Sequence, residues 1–301
     1  ESAGVVRYQS RSWTILPARG SLLSILGSDH SRPIDAHQSR RLPGFLQTMI
    51  AGSYASLPCS RCVARGSSLC AILADEDMHR LYGLATDMQF EAGGLLLRQE
   101  GPADHVFSLR SGHANVFRLT ADGKRQILAF LFPGDFVGFT SEDNYHYGVA
   151  AISAVEACRF DRTALEVLIE AFPQMDRKLR FTLTRAMDAS FELLFTLGRK
   201  DALQKVASFL WYVSYRQRKL GRSDNPVHLP MWRTDIADFM GLTVETVSRA
   251  MTLLKQMNAI RLHGHYDVEI TDMNRLRSIA VVVAEPAPWL HEDPDYYPHK
   301  E

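Results

Sequence analysis

The chain has 301 residues, 46% of them hydrophobic and 23% charged, with 34 Lys plus Arg against 34 Asp plus Glu, the make-up of an ordinary globular protein with room for two modest domains. No apolar run approaches the roughly 18–20 residues of a membrane span, and Leu22–Leu26 is too short for a secretory signal core, so a cytoplasmic protein with no membrane partner is expected. The zero net charge is unevenly spread: residues 75–176 hold 16 acidic and 8 basic residues, a net of −8, whereas residues 199–262 hold 11 basic and 5 acidic, a net of +6. A polyanion would therefore meet only the C-terminal section.

Residues 1–55 are rich in Ser, Arg and Gly without sustained periodicity and read as a disordered extension. From about Gln89 to Phe160 short strand patterns alternate with Gly101, Gly112, Gly123, Gly134 and Gly138. Ala114–Thr120 and Gln126–Phe132 flank Asp122-Gly123, a hairpin signal. The expected fold is α+β: an antiparallel barrel or jelly roll, a long helix, then a small helical domain.

Phe172-Pro173 punctuates the start of a helical pattern running to about Gly198. Leu179, Leu183, Ala186, Ser190, Leu193 and Leu197 follow at alternating spacings of four and three, the seam of a two-stranded coiled coil. A second stripe, Met187, Phe191, Leu194 and Phe195, is expected to turn toward the rest of the molecule. Residues 200–221 continue as helix, with Val206, Phe209, Leu210 and Val213 on one face, and Gly221–Pro226 is a loop by composition.

The next segment has the pattern of a helix-turn-helix. Asp235–Met240 makes a short helix, Gly241 supplies the positive φ of a turn, and Thr243 is a good N-cap. Val247, Met251 and Leu254 then anchor a second helix through one face. The opposite face carries Glu245, Ser248 and Arg249 near the helix start, where a recognition helix enters the major groove. Arg suits guanine O6 and N7, Glu suits cytosine N4, and Ser adapts to either. A hairpin, Ile260–His263 and Asp267–Ile270, follows through Gly264 as a wing.

Four cysteines remain to be placed: Cys59, Cys62 and Cys70 close together, and Cys158 far along the chain. Four thiolates suit either a [4Fe–4S] cluster or structural zinc, and spacing alone leaves both open. A thiol oxidoreductase built on Cys59-Ser-Arg-Cys62 would need a βαβ setting that the flanks do not offer, so no enzyme is expected. His79, His105, His113 and His146 read as surface or hydrogen-bonded residues rather than ligands.

The stretch Asp235–Arg249 resembles the recognition motif of the Crp/Fnr superfamily of bacterial regulators, and the resemblance covers residues 57–277. Val244-Glu-Thr-Val-Ser-Arg249 is most similar to the Fnr branch. The resemblance implies a homodimer binding a double-stranded palindrome resembling TTGAT-N4-ATCAA through Glu245, Ser248 and Arg249, with Thr246 facing phosphate and RNA polymerase as a further partner. It divides the chain into a segment-plus-barrel sensor over 56–171, a dimerisation helix over 172–199, a winged helix-turn-helix over 200–277, and a tail over 278–301.

It also implies oxygen sensing. The Fnr type places three cysteines ahead of the barrel and one in a late barrel strand, so Cys59, Cys62, Cys70 and Cys158 are the implied [4Fe–4S] ligands. The seven-residue gap between Cys62 and Cys70 resembles alphaproteobacterial members. Leu69 takes the position that shields the cluster. Zinc or regulatory thiols at the same positions are the alternative. Cyclic AMP, the ligand of the founding member, needs an Arg for its phosphate. The corresponding stretch, Gly138–Ala150, has no Arg and two acids, so no cyclic nucleotide is expected.

Overall fold

A computed structural model describes residues 57–264 and 266–281, together with the backbone of two short paired strands, β1 (Tyr8–Gln9) and β2 (Ser12–Trp13). The rest of residues 1–55, read as disordered, and the tail beyond residue 281 lie outside the described residues.

Three 3₁₀ turns, Pro58–Arg61, Arg65–Ser67 and Leu69–Ile72, carry the N-terminal cysteines and lead into α1 (Met78–Gly83). Eight strands follow: β3 (Ala85–Phe90), β4 (Leu95–Leu97), β5 (His105–Ser111), β6 (Ala114–Leu119), β7 (Arg125–Leu131), β8 (Phe136–Val137), β9 (Gly148–Ala151) and β10 (Val155–Asp161). They form two antiparallel sheets, ordered β3-β10-β5-β8 and β4-β9-β6-β7, the expected jelly roll. The predicted hairpin is β6–β7, with Gly123 at φ 79° in its turn.

Side-chain alternation sorts this sandwich into layers. Phe107, Leu109, Val116, Leu131, Val149 and Ala157 point between the sheets into one buried core. The outer face of the first sheet turns Val106 and Phe160 into a second core, shared with Leu69, Leu73, Leu165 and Met175. The outer face of the second sheet gives Ile127 and Phe130 to a third, which also takes in Phe132 just beyond β7 and holds the C-terminal domain.

Helices α2 (Arg162–Ala171), α3 (Pro173–Arg199) and α4 (Ala202–Lys219) come next. The helix expected to run unbroken into residue 200 stops at Lys200, where the backbone is extended. Asp201 then caps α4, accepting from Gln204 N–H at 2.9 Å while the Gln204 side chain accepts from Asp201 N–H at 3.0 Å. That reciprocal cap satisfies orphan N–H groups and starts a new helix.

On α3 the orientation differs from expectation. Leu179 packs on the second core and Leu193 on the third. The stripe expected to face the molecule is bare instead: Met187, Phe191, Leu194 and Phe195 are 51–65% exposed, and Leu183 joins them at 48%. Both sandwich-side cores lie against α3, so the residues that look like a strict seam serve partly as its attachment.

The C-terminal domain adds β11 (Val227–His228), α5 (Arg233–Met240), α6 (Val244–Gln256), β12 (Ile260–His263), β13 (Asp267–Ile270) and α7 (Met273–Ile279). The predicted wing hairpin is β12–β13, and β11, which directly follows the loop Gly221–Pro226, pairs onto β13 as a third strand. Helix α5 begins two residues earlier than predicted, because the Asp235 carboxylate accepts from Trp232 N–H at 3.1 Å and closes the turn there. No helix among the described residues is long and apolar enough to cross a membrane.

Candidate nucleic-acid interface and thiol site

The helix-turn-helix is built by local geometry. Gly241 sits at φ 60°, ψ 43° at the end of α5, a conformation that costs glycine little. Thr243 is extended, and its hydroxyl accepts from Thr246 N–H at 3.2 Å. Val247, Met251 and Leu254 are buried, which aims the opposite face of α6 at solvent. Glu245, Ser248 and Arg249 are exposed there. Hydrogen bonds from its own backbone N–H and the Thr243 side chain, with Arg249 nearby, hold the Glu245 carboxyl below its usual range, so it is an acceptor at neutral pH. Thr246 is half-buried, with its hydroxyl 3.0 Å from that of Thr243.

Sequence reasoning missed two parts of this surface. Thr252, Leu253 and Gln256 extend the exposed face by another turn and line an open groove with Ser248 and Arg249, a continuation that the i, i+4 spacing could have signalled. Trp232 is 58% exposed before α5 and packs edge-on against Tyr266 beside the wing. Only the tertiary fold brings those two together.

The reader is clamped to the barrel. Phe130 of β7 meets the rings of Phe209 and Phe239 at 5.8 and 5.1 Å. Arg125 bonds Asp235 at 2.8 Å and Asp238 at 2.9 Å. Arg216 binds both carboxylate oxygens of Asp135, at 2.7 and 2.8 Å, and lies over the Phe132 ring at 4.6 Å.

The thiol site forms on the opposite outer face. Cys158 lies mid-strand on β10, paired with Asp87 of β3 on one side and Ser108 of β5 on the other. Because paired residues share a face, these three form a row pointing out of the sandwich. The N-terminal turns cover that row, and Cys59, Cys70 and Cys158 pack against one core. Among the described residues no disulfide joins the four cysteines, and each is half-buried.

The thiols sense one another. Burial pushes the Cys59 thiol up to about 11, with Cys70 and Cys62 adding to the rise. Burial likewise pushes Cys158 up to about 12, with Cys70 and Cys59 contributing and Arg110 opposing. Cys70 is raised by burial, against a hydrogen bond from Ser68. Leu69 is 4% exposed and packs inside the same core. No group of three or more His, Cys, Asp or Glu among the described residues has a geometry that could hold a metal ion.

His113 departs from expectation: it packs edge-on against Phe132 at 5.5 Å, and burial lowers its pKa to about 4, so it is neutral. His79 Nε2 is buried without a partner, which also differs from a surface or hydrogen-bonded reading.

The Cyclic nucleotide-binding domain family matches residues 87–172, and the Crp-like helix-turn-helix domain matches residues 204–279. The transcriptional activatory protein AadR of Rhodopseudomonas palustris is 37% identical over 223 residues, 73% of this chain and 92% of its own length. The chain belongs to the Crp/Fnr family. It is a DNA-binding transcription regulator of that family. The nitrogen fixation regulation protein FixK of Bradyrhizobium diazoefficiens is 34% identical, covering 74% of this chain and 93% of its own length. The transcriptional activator FnrL of Cereibacter sphaeroides is 33% identical, covering 72% and 90%. The solved structure of FixK2 from Bradyrhizobium japonicum superposes with a TM-score of 0.60 at 30% identity, over 65% of this chain and 96% of its own. These Crp/Fnr relatives are regulators, not enzymes.

Proposed function

We propose that this Crp/Fnr regulator binds an Fnr-type palindrome as a homodimer and is switched by oxygen through a [4Fe–4S] cluster on Cys59, Cys62, Cys70 and Cys158. The observation that carries the reading is the gathering of these four thiols on one outer face of the barrel, three from the N-terminal turns and one from β10. The donor set is all sulfur, which fits an iron–sulfur cluster as well as zinc. When bound, the cluster supplies an oxygen-labile group that cross-links these positions.

The remaining roles fall to the chain's own residues. Cys59, Cys62 and Cys70 tie the 3₁₀ turns to the sheet at Cys158. Leu69 and Leu73 pack with Met175 and Leu179 of α3, so a firmly held segment also holds the first turns of that helix. Leu183, Met187, Phe191, Leu194 and Phe195 present an apolar stripe of the kind that marks an interface. We assign it to the partner subunit, with Ala186 and Ser190 alongside and Leu193 and Leu197 as its inner edge. Helix α3 leads through Lys200 into α4 and the reader, where Glu245, Ser248 and Arg249 meet base edges and Thr246 meets phosphate. The bound dimer recruits RNA polymerase in the cytoplasm.

Cyclic nucleotides have no place in this reading. Gly138–Ala150 brings Glu142 and Asp143 but no Arg, and Tyr145 and Tyr147 pack into the inter-sheet core.

Anaerobic preparation tests the proposal. The expected product is straw-brown, with iron and acid-labile sulfide in equal amounts at cluster stoichiometry. A colourless protein carrying zinc, or carrying no metal, would replace the cluster with the zinc or thiol reading.

A further inference from the structure

The thiol row has a neighbour that the ligand set leaves unexplained. Arg110 is the bulged residue of β5, skipped between the pairs Leu109–Ala157 and Ser111–Glu156, and its ion pair with Asp87, the strand partner of Cys158, puts its guanidinium on the outward face. Its Nη1 reaches Asp87 Oδ1 at 3.0 Å, on the strand beyond β10, and its Nη2 lies 3.9 Å from Glu156 on β10 itself. To span from β5 to β3 the guanidinium crosses β10 beside Cys158.

Arg110 is largely enclosed, with 17% of its side chain exposed. Its Nε is buried and has no hydrogen-bond partner. Ion pairs to the half-exposed carboxylates of Asp87 and Glu156 account for the two Nη groups. They do not explain an orphaned N–H on a charged group, which is costly to leave unmade. Asp87 and Glu156 are both acidic; Arg65 bonds Asp75 at 2.7 Å and Leu73 O, and Arg61 lies in the turn that carries Cys59. Tyr82 donates its hydroxyl to Asp87 at 3.1 Å. Four thiolates on a [4Fe–4S] core of charge +2 would carry a net charge of about −2, to which Asp87 and Glu156 add two more negative charges that Arg110 offsets in part.

We propose that Arg110 is the counter-charge and N–H donor of the cysteine site, a positioning residue held beside the cysteine row by Asp87, with its buried, unpartnered Nε left to donate to sulfur. Its charge also acts on both Cys59 and Cys158 against the effect of burial. The inference rests on the cluster reading above. Outer groups of this kind orient ligands and set reduction potentials through net charge and hydrogen bonds to sulfur.

The test compares wild type, Arg110→Gln, Arg110→Lys and Asp87→Asn, prepared anaerobically and checked for native circular dichroism. Midpoint potential is read by dithionite titration, and iron release by a chelator. Reduction adds negative charge, so Arg110→Gln should shift the potential negative and release iron roughly 10-fold faster or more. Arg110→Lys, which keeps the charge, should stay near the wild-type potential. Asp87→Asn removes an anion and should shift it positive. A merely structural ion pair would make the Gln and Asn variants behave alike. Matching shifts in those two, or an Arg110→Gln variant indistinguishable from wild type, would overturn the role of Arg110 while leaving the cluster in place. Wild-type protein lacking iron and sulfide would overturn both.

Discussion

The two outer faces of the sandwich are covered in contrasting ways. The β4-β9-β6-β7 face holds the DNA-reading domain with a large apolar core, interlocked rings of Phe130, Phe209 and Phe239, and the Arg125 and Arg216 clamps. The β3-β10-β5-β8 face is covered over the cysteines by 3₁₀ turns whose own buried apolar residues are few, chiefly Leu69 and Leu73. A segment with so little burial sits at the low-stability end of a molecule. The proposed cross-link there would change the state of the segment, whereas the opposite face is held by its own core and ion pairs. In the function proposed above, the cysteine face senses and the opposite face transmits.

The largest expected effect breaks the sensing face. Cys158→Ser keeps volume but replaces a soft thiolate with a poor iron ligand. Anaerobically prepared variant should lack cluster absorbance, stay monomeric by sedimentation, and bind operator only at the non-specific level, roughly a thousandfold weaker or more. Full iron content with oxygen-sensitive binding would remove Cys158 from the site.

The α3 surface comes next. The bare stripe makes Met187→Glu the cleaner dimer test, since Leu193 also packs on its own subunit's core. Like charges facing across a two-stranded seam should leave a folded monomer with native circular dichroism and no operator binding. A variant that still sediments as a dimer moves the interface elsewhere.

On the reading side, Arg249→Ala should cost roughly 1–3 kcal/mol of specific binding through loss of a bidentate base contact. Competition of the palindrome against scrambled duplex measures it, and undiminished discrimination would refute the assignment. Smallest is Thr243→Ala, which removes the cap of α6 for about 1 kcal/mol and should lower Tm by ~2–4 °C. An unchanged melting curve would show that the hydroxyl bond to Thr246 is dispensable.

The same contrast explains what the sequence could reveal. The reader depends on neighbours in sequence: Gly241 for the turn, Thr243 for the cap, and Val247, Met251 and Leu254 for the buried face, each legible from type and spacing. The β6–β7 and wing hairpins were legible for the same reason. The thiol site depends on residues that meet only through the fold. The row of Asp87, Cys158 and Ser108 requires the β3-β10-β5 strand order, which the family resemblance anticipated for Cys158 alone and which no local pattern specifies. The exposure of Met187 and Phe191 was misread because periodicity gives the faces of a helix without saying which core claims each. Arg110 stayed invisible because its partner Asp87 lies across a strand from elsewhere in the chain.

Equilibrium binding of a labelled palindromic duplex, at one salt concentration, before and after air reaches the same anaerobic sample tests most directly whether the two faces are coupled. The account predicts specific binding by the cluster-bearing dimer and a fall to non-specific affinity as the visible absorbance disappears. Loss of absorbance with operator affinity unchanged would contradict it.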